Sequence, residues 1–296
     1  MGKKIFCRWS LLSFLILILT WAPGLELSAQ EVHLDVPYVP TPYEVIEEML
    51  RFAELKKGDI LFDLGCGDGR IVIEAAKRAG IRAVGIDIDP QRIKESRENA
   101  RRAGVENLVE FRRQNIFEAD FSEATVVTMY LLPNVNLRLR PTILSSLKPG
   151  TRIISHSFDM DNWKPEKMTY VAADLYAHTV YLWIVPANIS GIWDWKMNLN
   201  KKNTRCQMEV EQEFQYLSGQ LQLDDLTIPI PETKIYGDKI EFEVQTPGQK
   251  SVNLKFTGQV QGEWITGTVA ITTGQKNSNQ SWKALRRPGT ARSIER

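Results

Sequence analysis

The chain reads as an α/β protein, a doubly wound and mostly parallel sheet followed by a small all-β domain, sandwich or barrel. Three observations carry this reading. Short apolar runs alternate with helical-period segments between about residues 59 and 185, a glycine loop follows the first run, and beyond 188 the apolar period shortens to two.

At 296 residues the chain holds about two domains' worth of sequence. Its 43% apolar and 25% charged residues are those of a protein with a buried core, which excludes wholesale disorder, collagen-like fibre and a multi-pass membrane protein. Lys plus Arg number 37 against 36 for Asp plus Glu, so no net field recruits nucleic acid, and no nucleic-acid partner is expected. Cysteines stand at 7, 66 and 206, too scattered for a disulfide framework or a zinc site; no metal is expected.

Lys3, Lys4 and Arg8 precede an uncharged run over 9–25, broken by Pro23 and Gly24, the layout of a signal peptide with a cut before Gln30. The run also reaches the short edge of the ~17–25 residues that span a bilayer, so a retained anchor that associates the chain with a membrane is the second reading of 1–29. Either one predicts an exported or membrane-anchored protein. Without 1–29 the charges are 34 positive and 35 negative.

The first domain is expected over 30–187. Residues 59–63 (DILFD) form a strand, and Ile71, Val72, Ala75, Ala76 and Ala79 recur at helical spacing up to Gly80. Residues 82–87 (RAVGID) are the next strand; 90–103 is a charged helix with Pro90 in its first turn and Gly104 past its end. Further strands are predicted at 108–111, 124–129 and 151–156, with a helix over 134–147 and an edge hairpin from 168–173 and 178–185. Ligands of such a sheet bind beyond the C-terminal ends of its strands, where the glycine loop lies.

Asp63-Leu64-Gly65-Cys66-Gly67-Asp68-Gly69-Arg70 links strand to helix, and its glycines let a ligand approach bare backbone. The nicotinamide fingerprint needs glycine at 70, where Arg stands, and the Walker pattern is absent. Asp87 ends the second strand, where a carboxylate accepts ribose hydroxyls. A nucleoside without phosphates fits best.

The run D-L-G-C-G-D-G-R followed by G-I-D-I-D-P resembles class I S-adenosylmethionine-dependent methyltransferases, whose sheet is Rossmann-like. More narrowly, Val36-Pro37-Tyr38-Val39-Pro40-Thr41-Pro42 ahead of a helix, together with D-L-G-C-G-D-G-R-I-V-I, is similar to the lysine methyltransferase family that includes the mitochondrial enzyme acting on the ATP synthase c-subunit and its bacterial relatives. The resemblance covers roughly 32–165. It implies S-adenosylmethionine as cofactor and a protein substrate, most simply through a lysine nitrogen. It implies that Asp63, Gly65, Gly67 and Gly69 line the methionine and adenosine portion, that Asp87 holds the ribose, and that Tyr38 and Thr41 close over the cofactor. Asn115, where many class I enzymes carry Asp, would accept from the adenine amino group. Thr128-Met129-Tyr130-Leu131-Leu132-Pro133 replaces the Asn/Asp-Pro-Pro-Tyr segment of several amino-group methyltransferases. Backbone carbonyls and the Tyr130 hydroxyl would then hold the acceptor, which makes Tyr130 the candidate catalytic residue. Leu131, Leu132 and Pro133 would form an apolar mouth that lowers a lysine's pKa. His156, at the end of a strand, would also face the substrate.

Several of these residues have a plainer reading. Cys66 is a small residue filling the loop rather than a nucleophile. His156 either meets substrate and relays a proton or is a hydrogen-bonded strand end, and Tyr130 either meets substrate or simply packs. His33 and His178 carry no signal, and the basic helix around Arg92, Lys94, Arg97, Arg101 and Arg102 reads as a solvated face.

Over 188–286, alternation in 208–216, 239–244 and 251–256 and the tryptophans at 193, 195, 264 and 282 predict the antiparallel domain. The tail over 287–296, with Pro, Gly, Ser and Arg, is expected to be disordered. Three functional readings stand: an S-adenosylmethionine-dependent protein-lysine methyltransferase, an exported nucleoside-binding protein without transfer activity, and a small-molecule methyltransferase. Export conflicts with the cytoplasmic supply of S-adenosylmethionine. Intact Asp63, glycines and Asp87 favour an active site.

Overall fold

Helical crossovers in the first half of the chain and hairpins in the second divide the strands between two sheets. The computed structural model describes Gly2 and residues 36–199, 201–249 and 251–295. Apart from Gly2, the expected signal or anchor over 1–29 lies outside them. No helix of the described residues is long and apolar enough to cross a membrane.

The first sheet contains β1 (Ile60–Leu64), β2 (Arg82–Asp87), β3 (Val109–Arg113), β4 (Val126–Met129), β5 (Arg152–His156), β6 (Lys167–Ala173) and β7 (Tyr176–Ile184), in the order β3-β2-β1-β4-β5-β7-β6. The first five run parallel and the β6–β7 hairpin closes one edge antiparallel, as expected for a doubly wound sheet. Helices α1 (Tyr43–Ala53), α2 (Arg70–Ala79) and α3 (Pro90–Ala103) pack on one face and α4 (Pro133–Ser146) on the other. Alternation along β1 decides this: Leu61 joins Val45, Val72 and Ile93, whereas Phe62 and Leu64 join Val135, Leu139 and Ile143. Helix α3 starts where the sequence placed it, because the Asp89 carboxylate accepts from Gln91 N at 2.7 Å and Pro90 follows the cap.

The second sheet is a closed antiparallel barrel of β8 (Gly191–Leu199), β9 (Lys202–Glu213), β10 (Tyr216–Leu223), β11 (Leu226–Tyr236), β12 (Lys239–Gln245), β13 (Val252–Gln261), β14 (Trp264–Thr273) and β15 (Lys276–Arg286). Closure leaves no free edge among these strands. Its interior is filled by Trp195, Phe242, Phe256 and Trp282, with Trp195 and Trp282 5.2 Å apart. Trp193 is buried at one end under the guanidinium of Arg286, which donates to the carbonyls of Asn188 and Ser190. Trp264 is instead exposed and does not belong to the core.

Barrel and sheet are joined through apolar contact. No helix separates β5 from β6; the segment between them sends Met160 and Trp163 onto the α4 face, and Phe214, in the β9–β10 turn, stacks on Trp163 at 5.7 Å. The Gln215 amide donates to Lys164 O at 2.7 Å, and the Trp183 indole donates to Trp163 O at 2.7 Å. The expected disordered tail is corrected here. Ile294 is buried, its carbonyl accepts from Phe214 N, Glu295 pairs with Arg140 at 2.6 Å, and Arg292 N donates to Ser190 Oγ at 2.8 Å. These partners lie far away in sequence, so local composition gave no sign of them.

Phe214→Ala removes the ring that fills this junction. A loss of about 3–5 kcal/mol is expected, read as a lower urea midpoint for the full chain; an unchanged midpoint would show that the junction carries no stability.

Candidate active site

Strand β1 ends at Leu64, and the chain must turn sharply to start α2. Gly65 and Gly67 make the turn at φ +79° and +53°, a region costly for residues with a Cβ. The N–H groups of Gly65 and Cys66 donate to Ile86 O at 2.9 and 3.0 Å, and Gly67 N donates to Asp87 Oδ2 at 2.8 Å. The other oxygen of Asp87 accepts from Asp89 N at 2.9 Å. Asp87 therefore braces both the glycine loop and the start of α3, and it lines the crevice.

That crevice encloses about 930 Å³, including space open to solvent. Tyr38, Thr41, Asp63, Gly65, Gly67, Asp87, Asn115, Tyr130 and Leu131 all line it. Four residues expected there are placed elsewhere. Gly69 caps α2, and a Cβ on it would strike Phe111 and Ser96 at 2.7 and 2.8 Å, so its bareness serves packing. Leu132 and Pro133 begin α4 rather than extending the mouth. His156 is fully buried behind Tyr130, whose ring centroid is 3.8 Å from its own. The glycines admit side chains as well as a ligand: a Cβ on Gly67 would lie 2.6 Å from the Tyr38 ring, and one on Gly65 2.8 Å from Leu131.

Three residues without an assigned role hold the segment over the crevice. Arg70 forms a bidentate pair with Asp68, at 2.9 and 2.7 Å, and donates to Thr41 O at 3.0 Å. The Arg92 guanidinium sits 4.3 Å from the Tyr38 ring centroid, so this member of the supposedly solvated basic face lines the site. Proximity of Arg92 to Asp87 in sequence was the available signal.

Burial dominates the electrostatics. It pushes the Asp63 carboxyl up to about 7, against the Thr128 hydroxyl that donates to it at 2.7 Å, and it raises Asp87 despite the N–H groups bonded there. Asp68 stays below the usual carboxylate range because Arg70 outweighs its burial. Burial drives the Cys66 thiol well up, which suppresses the thiolate and leaves the residue as packing. The Asn115 oxygen accepts from Phe117 N at 3.1 Å, with one lone pair left for a ligand.

The family model for the ANTKMT methyltransferase domain matches residues 63–167. A protein-lysine N-methyltransferase of Saccharolobus islandicus (strain REY15A) is 48% identical over 151 residues, 51% of this chain and 94% of that protein. The chain belongs to the protein-lysine N-methyltransferase family. The Homo sapiens lysine N-methyltransferase of the ATP synthase c-subunit is 32% identical over 134 residues, 45% of this chain and 57% of that protein. Among solved structures, an RNA methyltransferase from Salinibacter ruber in complex with S-adenosyl-L-homocysteine is 53% identical, covering 51% of this chain and 96% of that chain at a TM-score of 0.48.

As a member of the protein-lysine N-methyltransferase family, the chain is a methyltransferase whose cofactor is S-adenosylmethionine. The crevice suits that cofactor. Asp63 and Asp87 line the crevice, buried and drawn toward protonation, so a cation there would favour their charged form and a diphosphate would oppose it. The cofactor supplies an electrophilic methyl group.

Two outcomes follow for this family member. Gly67→Ala should displace Tyr38 and strain the loop, which weakens S-adenosylhomocysteine binding by about 1–2 kcal/mol in calorimetry; equal affinity would show that Tyr38 does not cover the ligand. A bound cation should lower the Asp63 pKa, so binding should release protons and tighten as pH rises through about 7. Titration in buffers of different ionisation heat measures this, and affinity that is flat with pH would refute it. In the unliganded chain the sign is opposite: stability lent by the raised pKa is complete below the unfolded value and is lost as pH rises through about 7.

Proposed function

We propose that the chain transfers the methyl group of S-adenosylmethionine to the side-chain nitrogen of a lysine in a protein. The observation that carries the acceptor is the 48% identity to a protein-lysine N-methyltransferase, 94% of which is covered. The lining of the crevice supports it. Tyr130 and Leu131 line the crevice at the end of β4, an aromatic ring and an aliphatic side chain against which the methylenes of a lysine can lie.

In this reading Asp63 and Asp87 hold the cofactor from the β1 and β2 side, and Tyr38 and Thr41 cover it. Tyr130 and Leu131 shed water from the acceptor nitrogen and favour its uncharged form. Holding that nitrogen in line at ~3–3.5 Å is most of what the transfer demands. The relatives' acceptors, the ATP synthase c-subunit among them, are the first proteins to try.

The test incubates the full chain with methyl-labelled S-adenosylmethionine and, separately, with total protein, total RNA and the purified ATP synthase c-subunit in detergent. Label on lysine, located by mass spectrometry of peptides, is the expected result. The Asp87→Ala variant should lose about 1–3 kcal/mol of cofactor affinity and much of the labelling. Label confined to RNA, or to small molecules in the extract, would overturn the proposal.

A further inference from the structure

The β6–β7 hairpin projects on the ligand side of the sheet. His156 ends β5 opposite Val180, and the hairpin continues past that pair to Tyr176, ~13 Å further at the rise of a strand. Thr41 Oγ1, on the crevice wall, lies 3.2 Å from His156 Nδ1, and His156 Nε2 lies 2.9 Å from His178 Nδ1, so the hairpin is fastened beside the crevice cover. Its tip is apolar and bare. Leu175 is fully exposed, Tyr170 and Tyr176 are largely so, and Asp174 is the only Asp, Glu, Lys or Arg from Met168 to Pro186. Val39, on the crevice wall, and Tyr43, the first residue of α1, are exposed at the same end.

The turn carries a strain that the fold does not offset. Asp174 and Leu175 both hold left-handed backbone, at φ +47° and +68°, as in the two-residue hairpin turn that favours Asn or Asp first and Gly second. Asp174 suits its place. Leu175 puts a Cβ where glycine fits most easily. Phe214, at φ +48° in the β9–β10 turn, meets similar strain but is buried against Trp163, and that packing accounts for it. Leu175, fully exposed, gains no burial in this way.

We infer that Leu175, with Tyr170 and Tyr176, inserts into a lipid surface and holds the crevice against it. The inference does not depend on the identity of the methyl acceptor. A projecting tip offers no concavity to a protein side chain. An aliphatic point flanked by tyrosines instead matches the boundary of a bilayer, where the rings lie among headgroups and the aliphatic group lies beyond them. The uncharged run over 9–25, a membrane anchor in one of its two readings, stands ten residues ahead of Val36 on the crevice wall, so a tether there would bring this same end to a bilayer. With one acid and no base at the tip, the surface it suits has neutral headgroups, and its binding is insensitive to salt.

The test labels the full chain carrying Cys7→Ser and Leu175→Cys with a polarity-sensitive fluorophore; Cys66 and Cys206 are buried. A second sample carries the label at Asn277→Cys, exposed at the start of β15, at the end of the barrel away from Phe214. With phosphatidylcholine vesicles the tip label should shift to the blue and be quenched by lipids bearing an acyl-chain nitroxide, and the Asn277 label should do neither. Salt and anionic lipid should leave the response unchanged. Tyr170→Ser with Tyr176→Ser should weaken tip insertion about tenfold. Leu175→Gly in the unlabelled chain should raise the urea midpoint, since glycine accepts left-handed backbone. No vesicle binding, a tip label that stays in water on bound chain, an equal response at both positions, a need for anionic lipid, or a lower midpoint for Leu175→Gly would each overturn the inference. A tip that stays in water is also the result expected if 1–29 alone met the membrane or if the hairpin docked a protein. None of these readouts uses methyl transfer, so failure here leaves the proposed function standing, and failure of that function leaves this inference standing.

Discussion

The Asp87 carboxylate accepts from Gly67 N and Asp89 N at once, and the geometry of the crevice follows from that pair of bonds. One bond fixes the turn after β1; the other fixes the start of α3. Because Gly65 and Cys66 also bond to Ile86 O, the first two strands are locked at their C-terminal ends. The glycine loop is thus rigid as well as bare. Its shape places Tyr38, held by Arg92, and Thr41, held by Arg70, over the same space. Buried carboxyls that cost energy to ionise gather at this one crevice, as they do at functional sites.

The barrel completes the sheet's second face. Three helices cover the α1 side, but α4 alone cannot cover β5 and β7 on the other. Phe214, Trp163 and Trp183 fill that gap with aromatic bulk, and the C-terminal residues lace barrel to sheet through Arg140 and Ser190. The 151 residues matched to the S. islandicus relative cover 94% of that protein and 51% of this chain. The barrel has a packing role that can be seen directly: its Phe214 covers Trp163, which in turn packs on Trp183.

Much of this was legible in the sequence for physical reasons. Parallel strands buried on both sides appear as apolar runs, so β1, β2, β4 and β5 stood out, and the glycine loop with Asp87 marked the site. Three of the eight barrel strands were plain; others were hidden because β14 and β15 carry runs of small or polar residues and β11 contains Pro229 and Pro231. Nine of the thirteen expected site residues line the crevice. Gly69 failed because a glycine needed for packing looks the same in sequence as one needed for a ligand. His178 was read as carrying no signal because its partner is 22 residues away across a strand pair, and no local pattern reports a cross-strand contact.

Two opposed electrostatic demands meet in one crevice, and the strand order separates them. A cationic cofactor calls for anions, whereas a lysine nitrogen must be discharged before it can react, and an anion beside it would hold its proton. Asp87 ends β2 and Asp63, next to last in β1, is bonded to Thr128 of β4; Tyr130 and Leu131 follow the end of β4, and the neutral His156 ends β5. The parallel order β2-β1-β4-β5 turns a conflict at a single point into a gradient across neighbouring strands. Moving an acid from the β2 side to the β4 side would preserve the pocket's charge and volume yet stabilise the unreactive ammonium, so placement rather than composition sets the chemistry.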